Sequence, residues 1–452
     1  MNRSATLVDG KADVDLETFI DERHFGRPHV LLIGLCALAA AIDGFDAQLI
    51  TYLAPSIARD LHLSRAMLGP VFSLGIVGMA FGSLAGGMLA DRFGRRPIIL
   101  LSLLWFGVFS ILTAFSATAG TLIALRFISG LGYGALMPNA AALVAEFAPR
   151  RYRATAVMVM YCGVAVGGAL GGPVTALVLE HHGWHFLFVM GGVLGLLIAL
   201  LLGALLPESI RFLLAAGGSR ERLQKSMRFI DPAYSLAPDA RLVSASATGA
   251  GRVAVRQLFL DGRLPVTLLL WSIFLCAALD LYFIVTWLPT ILQDHGVEPR
   301  ESLLVTSMFQ LGGLLFPLVL ARMIDGKRAI ATVGCIFGLG AVTTCLIGSA
   351  GTSVASLGLL VFLTGAFVQG GMTGLTAISA GLYPTLIRSS GVGWALGLSR
   401  VGGIIGPMLG AAAVAAGLSF QAIFAVFAIP AIIAALAAAG LVRVTRRQPD
   451  PR

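Results

Sequence analysis

Ala39-Ala40-Ala41-Ile42-Asp43-Gly44-Phe45-Asp46-Ala47-Gln48 puts two acids inside an apolar run that extends from His29 to Leu53. On a helix, residues three apart share a face, about 60° apart at roughly 3.6 residues per turn. A carboxylate at the centre of a bilayer costs about 2.5–3.5 kcal/mol on insertion scales. Two of them on one face need a partner or a function. The reading is that Asp43 and Asp46 line a polar path through a membrane and carry a proton. Burial and a like-charged neighbour each favour the protonated form of a carboxyl group. Such a site can load a proton on one side and release it on the other. The competing reading is that one of the two pairs with an arginine or caps irregular helix around Gly44.

Composition supports the membrane setting. Of 452 residues, 57% are hydrophobic and only 12% charged, against about 25% charged in soluble domains. The formal charge of +9 does not indicate nucleic acid, because the arginines sit in short loops between apolar runs. The first 27 residues are polar and acidic, the opposite of a cleavable signal peptide, and read as a cytoplasmic tail. The five cysteines fall in apolar runs without a CxxC pair, which argues against disulfides and a metal site. His181, His182 and His185 cluster between two runs and read as interfacial side chains rather than metal ligands.

A membrane-spanning helix needs about 20 apolar residues. Twelve such runs are present, at 29–53, 67–90, 97–118, 120–146, 154–179, 185–206, 264–292, 302–322, 329–349, 353–380, 389–416 and 419–443. The expected class is an all-α membrane protein of twelve transmembrane helices in two pseudo-symmetric six-helix halves. The divisions are a tail (1–28), an N-terminal half (29–206), a linker (207–262), a C-terminal half (263–443) and a second tail (444–452). Arginine and lysine concentrate in the even-numbered loops, the linker and the C-terminus, so both termini are expected to be cytoplasmic. The halves repeat. Glu146-Phe-Ala-Pro149-Arg-Arg-Tyr-Arg153 aligns with Gly381-Leu-Tyr-Pro384-Thr-Leu-Ile-Arg388, and Gly87 to Arg96 has a degraded echo in Leu320 to Arg328. Two related halves suit a transporter that rocks about a central site.

The loop Gly87-xxx-Asp91-Arg92-Phe-Gly94-Arg95-Arg96 and the motif Arg126-xxx-Gly130-x-Gly132-x-Gly134 resemble the signatures of the major facilitator superfamily. Asp43-Gly-Phe-Asp46 and Tyr383-Pro-Thr-Leu-Ile-Arg388-Ser-Ser-Gly391 are similar to its aromatic acid:proton symporter family, with benzoate and hydroxybenzoate carriers among the members. The chain departs from the pattern twice. Gly326-Lys327 follow Asp325 in the eighth loop, and Asp280 stands where an amide is expected in many relatives.

That resemblance implies a proton-coupled importer of small aromatic carboxylates in the bacterial inner membrane, acting as a monomer by alternating access. Import of another organic acid is the alternative, and drug or metabolite export the third. Arg126 joins Asp43 and Asp46 in the implied proton path. Arg400, about 18 Å into the eleventh helix at about 1.5 Å per residue, has Ala165 opposite it in the first half. Its guanidinium fork suits a substrate carboxylate, or else an internal salt bridge to Asp43, Asp46 or Asp280. Asp280, Tyr282, Gln310, Phe45 and Trp287 are candidate substrate contacts, the rings by stacking. Asp91, Arg92, Arg95 and Arg96 are expected to gate. Asp91 would cap the N-terminus of the eleventh helix, Asp325 would be its weaker partner, and Glu146, Arg153 and Arg388 would extend the latch. There is no Ser-His-Asp arrangement, P-loop or HExxH, so an enzyme is not expected and no cofactor is implied.

Overall fold

The computed structural model describes residues 5–8, 11–234, 241–243, 255–260, 262–324, 328–384 and 387–447. Arg27–Asp60, Arg65–Phe93, Arg95–Thr113 and Ala119–Phe147 form the first four spans. Helix then continues from Arg153 to Leu205, 53 residues. At about 1.5 Å per residue that is roughly 80 Å, against about 30 Å of hydrocarbon. The stretch breaks at Gly183, where φ is 72° and ψ 176°, a conformation that glycine adopts without a Cβ clash. The fifth span is therefore 153–182 and the sixth 184–205. Spans seven to twelve are Leu264–Asp294, Pro299–Ile324, Ala329–Ile347, Val354–Ser379, Arg388–Ala415 and Phe420–Arg447. Their ends agree with the apolar runs to within a few residues, except that the first continues through Pro55 to Asp60. An even number of crossings puts both chain ends and the linker on one side, the tail side; the opposite side is the far side.

Lipid gives helices little hydrophobic reason to associate, so small residues that let backbones approach carry the packing. Gly44 on the first span abuts the backbone of Val164 on the fifth so closely that no side chain would fit there. The same construction repeats in the second half. Gly167 sits on the carbonyl of Ala41, and Gly402 sits on that of Leu275. Gly78 meets Phe127, and Gly312 meets Phe362. Gly192 meets Gly107, and Ala428 packs with Ala341. The order is thus first on fifth, second on fourth and third on sixth, and again seventh on eleventh, eighth on tenth and ninth on twelfth.

Contacts between the halves run from mid-depth to the far side. Arg65 and Asp294 form an ion pair of 2.6 Å there. The Phe72 and Trp287 rings meet edge-on at 5.8 Å. The Ser73 hydroxyl donates to the Ile404 carbonyl at 2.8 Å, and Gly172 lies against Leu303. Closer to the tail side, Arg400 donates a hydrogen bond to the Ser83 hydroxyl. The bundle is closed on its far side.

The polar stretch expected as a simple tail contains a docked helix, Leu16–Glu22, capped by the Asp15 carboxylate. Leu16, Phe19 and Ile20 are buried. Glu17 pairs with Arg150 and with Arg211 (3.4 Å), and Arg23 pairs with Asp231 at 3.2 Å. The linker it meets carries two short helices, Ile210–Ala215 and Arg220–Ile230. A small sheet orders β1 (Ala5–Val8), β2 (Lys11–Asp15) and β3 (Arg241–Val243), antiparallel then parallel.

Candidate functional site

A cavity of about 340 Å³ lies between the halves, walled by the first, second, fourth, fifth, seventh, eighth and tenth spans. Its size falls in the range of roughly 300–1,000 Å³ typical of small-molecule sites. Most of the wall is apolar, with a few converging polar groups.

The two acids of the first span are not equivalent. Asp46 is fully buried, and its Oδ2 lies 3.1 Å from Arg126 Nη1. Its Oδ1 accepts from the Ser110 hydroxyl at 3.0 Å. Arg126 also donates to Thr113 at 2.9 Å and lies 4.9 Å from the centre of the Phe188 ring. A buried carboxylate is tolerated when an opposite charge and hydrogen bonds replace its water, and here both are supplied. Asp43 is 4% exposed and faces the same cavity, yet its Oδ1 has no hydrogen-bond partner. The Arg126 guanidinium is therefore committed to Asp46. Asp43 lines the cavity and forms no ion pair among the described residues.

The remaining expected contacts divide. Tyr282 and Gln310 line the cavity, joined by Tyr133, Thr286 and Gln369. Arg400, Asp280, Phe45 and Trp287 are not in its wall. Phe45 points at Gly171 and Gly191 between the fifth and sixth spans. Trp287 is fully buried and donates its indole N–H to the Pro407 carbonyl at 2.9 Å. Asp280 is fully buried, with neither oxygen partnered. Arg400 is half-buried and forms no ion pair among the described residues, so the internal salt bridge considered for it is not made. Its partner Ser83 lies one turn beyond the lining residue Met79, which puts the guanidinium at the tail-side margin of the cavity. Tyr161 and Tyr282 stand within electrostatic reach of both Arg400 and Asp43.

The expected gate is built within one half. Arg95 bridges Asp91 at 3.2 Å and Glu146 at 3.6 Å, and donates to Asn139 at 3.3 Å. Glu208, from the linker, accepts from the backbone N–H groups of Arg95 and Arg96 at 3.0 and 3.1 Å and so caps the third span. Ser209 bonds Glu146. Asp91 is 73% exposed and does not cap the eleventh span. Arg92 stacks on Phe93, Arg153 is half-buried and Arg388 exposed. Asp325 lies outside the described residues.

Sequence reading missed Ser110, Thr113, Gln369 and Glu208. The first three are polar residues in otherwise apolar spans, a signal that was available. Glu208 offered none beyond its position after Pro207.

The model of the Major Facilitator Superfamily matches residues 36–298 and 270–452. The chain is 34% identical to the 4-hydroxybenzoate transporter of Pseudomonas putida, over 94% of each chain. It is 34% identical to the gallate transporter of the same organism, over 91% of this chain and 92% of that one. The 3-(3-hydroxy-phenyl)propionate transporter of Escherichia coli is 33% identical, over 88% and 90%. Among solved structures, the inward open xylose transporter XylE from E. coli superposes with a TM-score of 0.69 at 18% identity, covering 90% of this chain and 95% of that one. A bacterial homologue of the lysosomal transporter Spinster, inward-facing and occupied, gives 0.67 at 16% identity, covering 95% and 100%. The chain belongs to the Major Facilitator Superfamily, as a multi-pass membrane transporter grouped with carriers of aromatic acids.

Proposed function

We propose that the protein is a proton-coupled importer of small aromatic carboxylates, such as a hydroxybenzoate, in a bacterial inner membrane, working as a monomer. The observation that carries this reading is the division of labour on the first span. Asp46 is neutralised by Arg126, and Asp43 stands unpaired on the cavity wall. The names of the relatives support the substrate class. The tail side is cytoplasmic, since Arg92, Arg95, Arg96, Arg150 and Arg151 lie at its loops. The conformation described here is then open inward.

Moving a carboxylate into a negative cell works against about 2.3 kcal/mol per charge per 100 mV. One cotransported proton removes that cost, and further protons add drive. In the outward-facing state, Asp43 takes a proton and the substrate anion enters. Its ring lies among the apolar wall residues, Tyr282 and Gln310, and its carboxylate engages Arg400. Once the far side closes, inward release frees both. The Asp91–Arg95–Glu146 cluster resets the tail-side gate.

Proteoliposomes loaded at higher internal pH are expected to accumulate labelled 4-hydroxybenzoate or gallate, and to lose that accumulation when a protonophore collapses the gradient. Accumulation indifferent to the pH gradient would remove the coupling from this reading.

A further inference from the structure

Asp280 belongs neither to the cavity wall nor to any ion pair among the described residues. The repeat identifies what it is. Gly167 on Ala41 corresponds to Gly402 on Leu275, and the same register carries Asp46 onto Asp280. Gly130 on Gly75 corresponds to Gly365 on Phe309, which carries Arg126 onto Val361. The Gly107–Gly192 contact corresponds to the Ala341–Ala428 cluster, which carries Ser110 onto Thr344 and Thr113 onto Ile347. Both halves have the acid, but where the first has a guanidinium the second has an isopropyl group. Val361 and Ile347 are fully buried, and the Thr344 hydroxyl, like both oxygens of Asp280, has no partner.

No charge among the described residues compensates it. The tenth span has no ionisable side chain, and the ninth has only Cys335 and Cys345, both exposed. The eighth carries Arg300 and Glu301 at its far-side start; the side chain of Arg322 lies outside the described residues. The arginines of the twelfth are at its tail-side end. On the eleventh, Arg388 is exposed at its start and Arg400 is bonded to Ser83. On the first, Asp43 and Asp46 face the cavity. Within the seventh, Cys276 is one turn away and Asp294 at the far end pairs with Arg65.

We infer that Asp280 is a second proton-binding site, held as a neutral carboxylic acid in the core of the C-terminal half and separate from the cavity pair. An ionised carboxylate with no protein cation or donor beside it is strongly disfavoured in such a place, whereas the protonated acid needs only a modest dipolar partner. The site does not depend on the transport reading, and its test needs no transport.

Infrared difference spectra of the full-length protein in lipid at neutral pH compare wild type with Asp280→Asn. Loss of one protonated-acid carbonyl band in the variant is expected. Loss of a carboxylate band instead would overturn the inference. Asp280→Leu supplies an independent readout, because an orphan buried polar group replaced by an apolar one of similar size is tolerated. Its melting temperature is expected to equal or exceed that of wild type, and a fall of many degrees would mean that the acid is ionised and paired. Val361→Arg places a cation at the matching position. It is expected to exchange the acid band for a carboxylate band, and an unchanged acid band would contradict the symmetric placement.

Discussion

The two halves share their backbone packing and differ in their charges. In the N-terminal half, one arginine, one serine and one ring are arranged around Asp46, and Asp91, Arg95 and Glu146 form a network with Glu208 and Ser209. In the C-terminal half the matching positions are Val361, Thr344 and Phe424 around an unpartnered acid. Duplication supplies a symmetric scaffold that can rock about its centre. What distinguishes the halves is the set of side chains carried on that scaffold. Under the proposed function the cavity-facing proton site, Asp43, belongs to the first half. The second half lends Tyr282, Gln310 and Gln369 to the cavity wall, with Arg400 at its margin, as the proposed substrate contacts.

The comparison is broken most severely at Arg126. Arg126→Leu leaves Asp46 buried without its cation, at a cost of about 3–5 kcal/mol, so little folded protein and no uptake are expected. The double variant Asp46→Leu/Arg126→Leu is expected to recover thermal stability while remaining inactive. A double variant no more stable than the single one would mean that the pair is not the reason. Asp43→Asn is expected to fold normally and to lose gradient-driven accumulation by tenfold or more, while retaining binding of a labelled aromatic acid. Arg400→Lys removes the planar fork and keeps the charge. A rise in KM of about tenfold, equivalent to about 1.4 kcal/mol, is expected with a smaller change in kcat, and unchanged KM would release Arg400 from substrate contact. The smallest effect is expected at the far side. The Arg65–Asp294 pair is partly exposed, and such pairs are worth about 0–1 kcal/mol. Arg65→Ala should therefore change uptake by no more than about fivefold, while increasing alkylation of a cysteine placed at Gln48 from the far side.

Much of this was legible in the chain itself, and the illegible part has a definite cause. Carboxylates inside an apolar run are conspicuous wherever they point, so Asp43 and Asp46 stood out. Rotational phase is harder to read. Asp280 and Tyr282 are two residues apart, about 200° around the helix, so when one faces the cavity the other faces the core, and a helix apolar all round does not say which. Trp287 and Phe45 fell to the same ambiguity. Asp91 illustrates another limit. Its neighbour one turn on, Arg95, takes it as an ion-pair partner within the same half, a local pairing that competes with any cap on a distant helix. The docked helix at Leu16–Glu22 was readable, since Leu16, Phe19 and Ile20 follow helical spacing, but the surrounding acids obscured it.

The most direct test of the central claim is the pH outside de-energised, weakly buffered cells or right-side-out vesicles when 4-hydroxybenzoate is added. Wild type should give a prompt external alkalinisation that a protonophore abolishes, and Asp43→Asn should give none while still binding the acid. Alkalinisation of equal size in Asp43→Asn would contradict the assignment of the proton to that carboxylate.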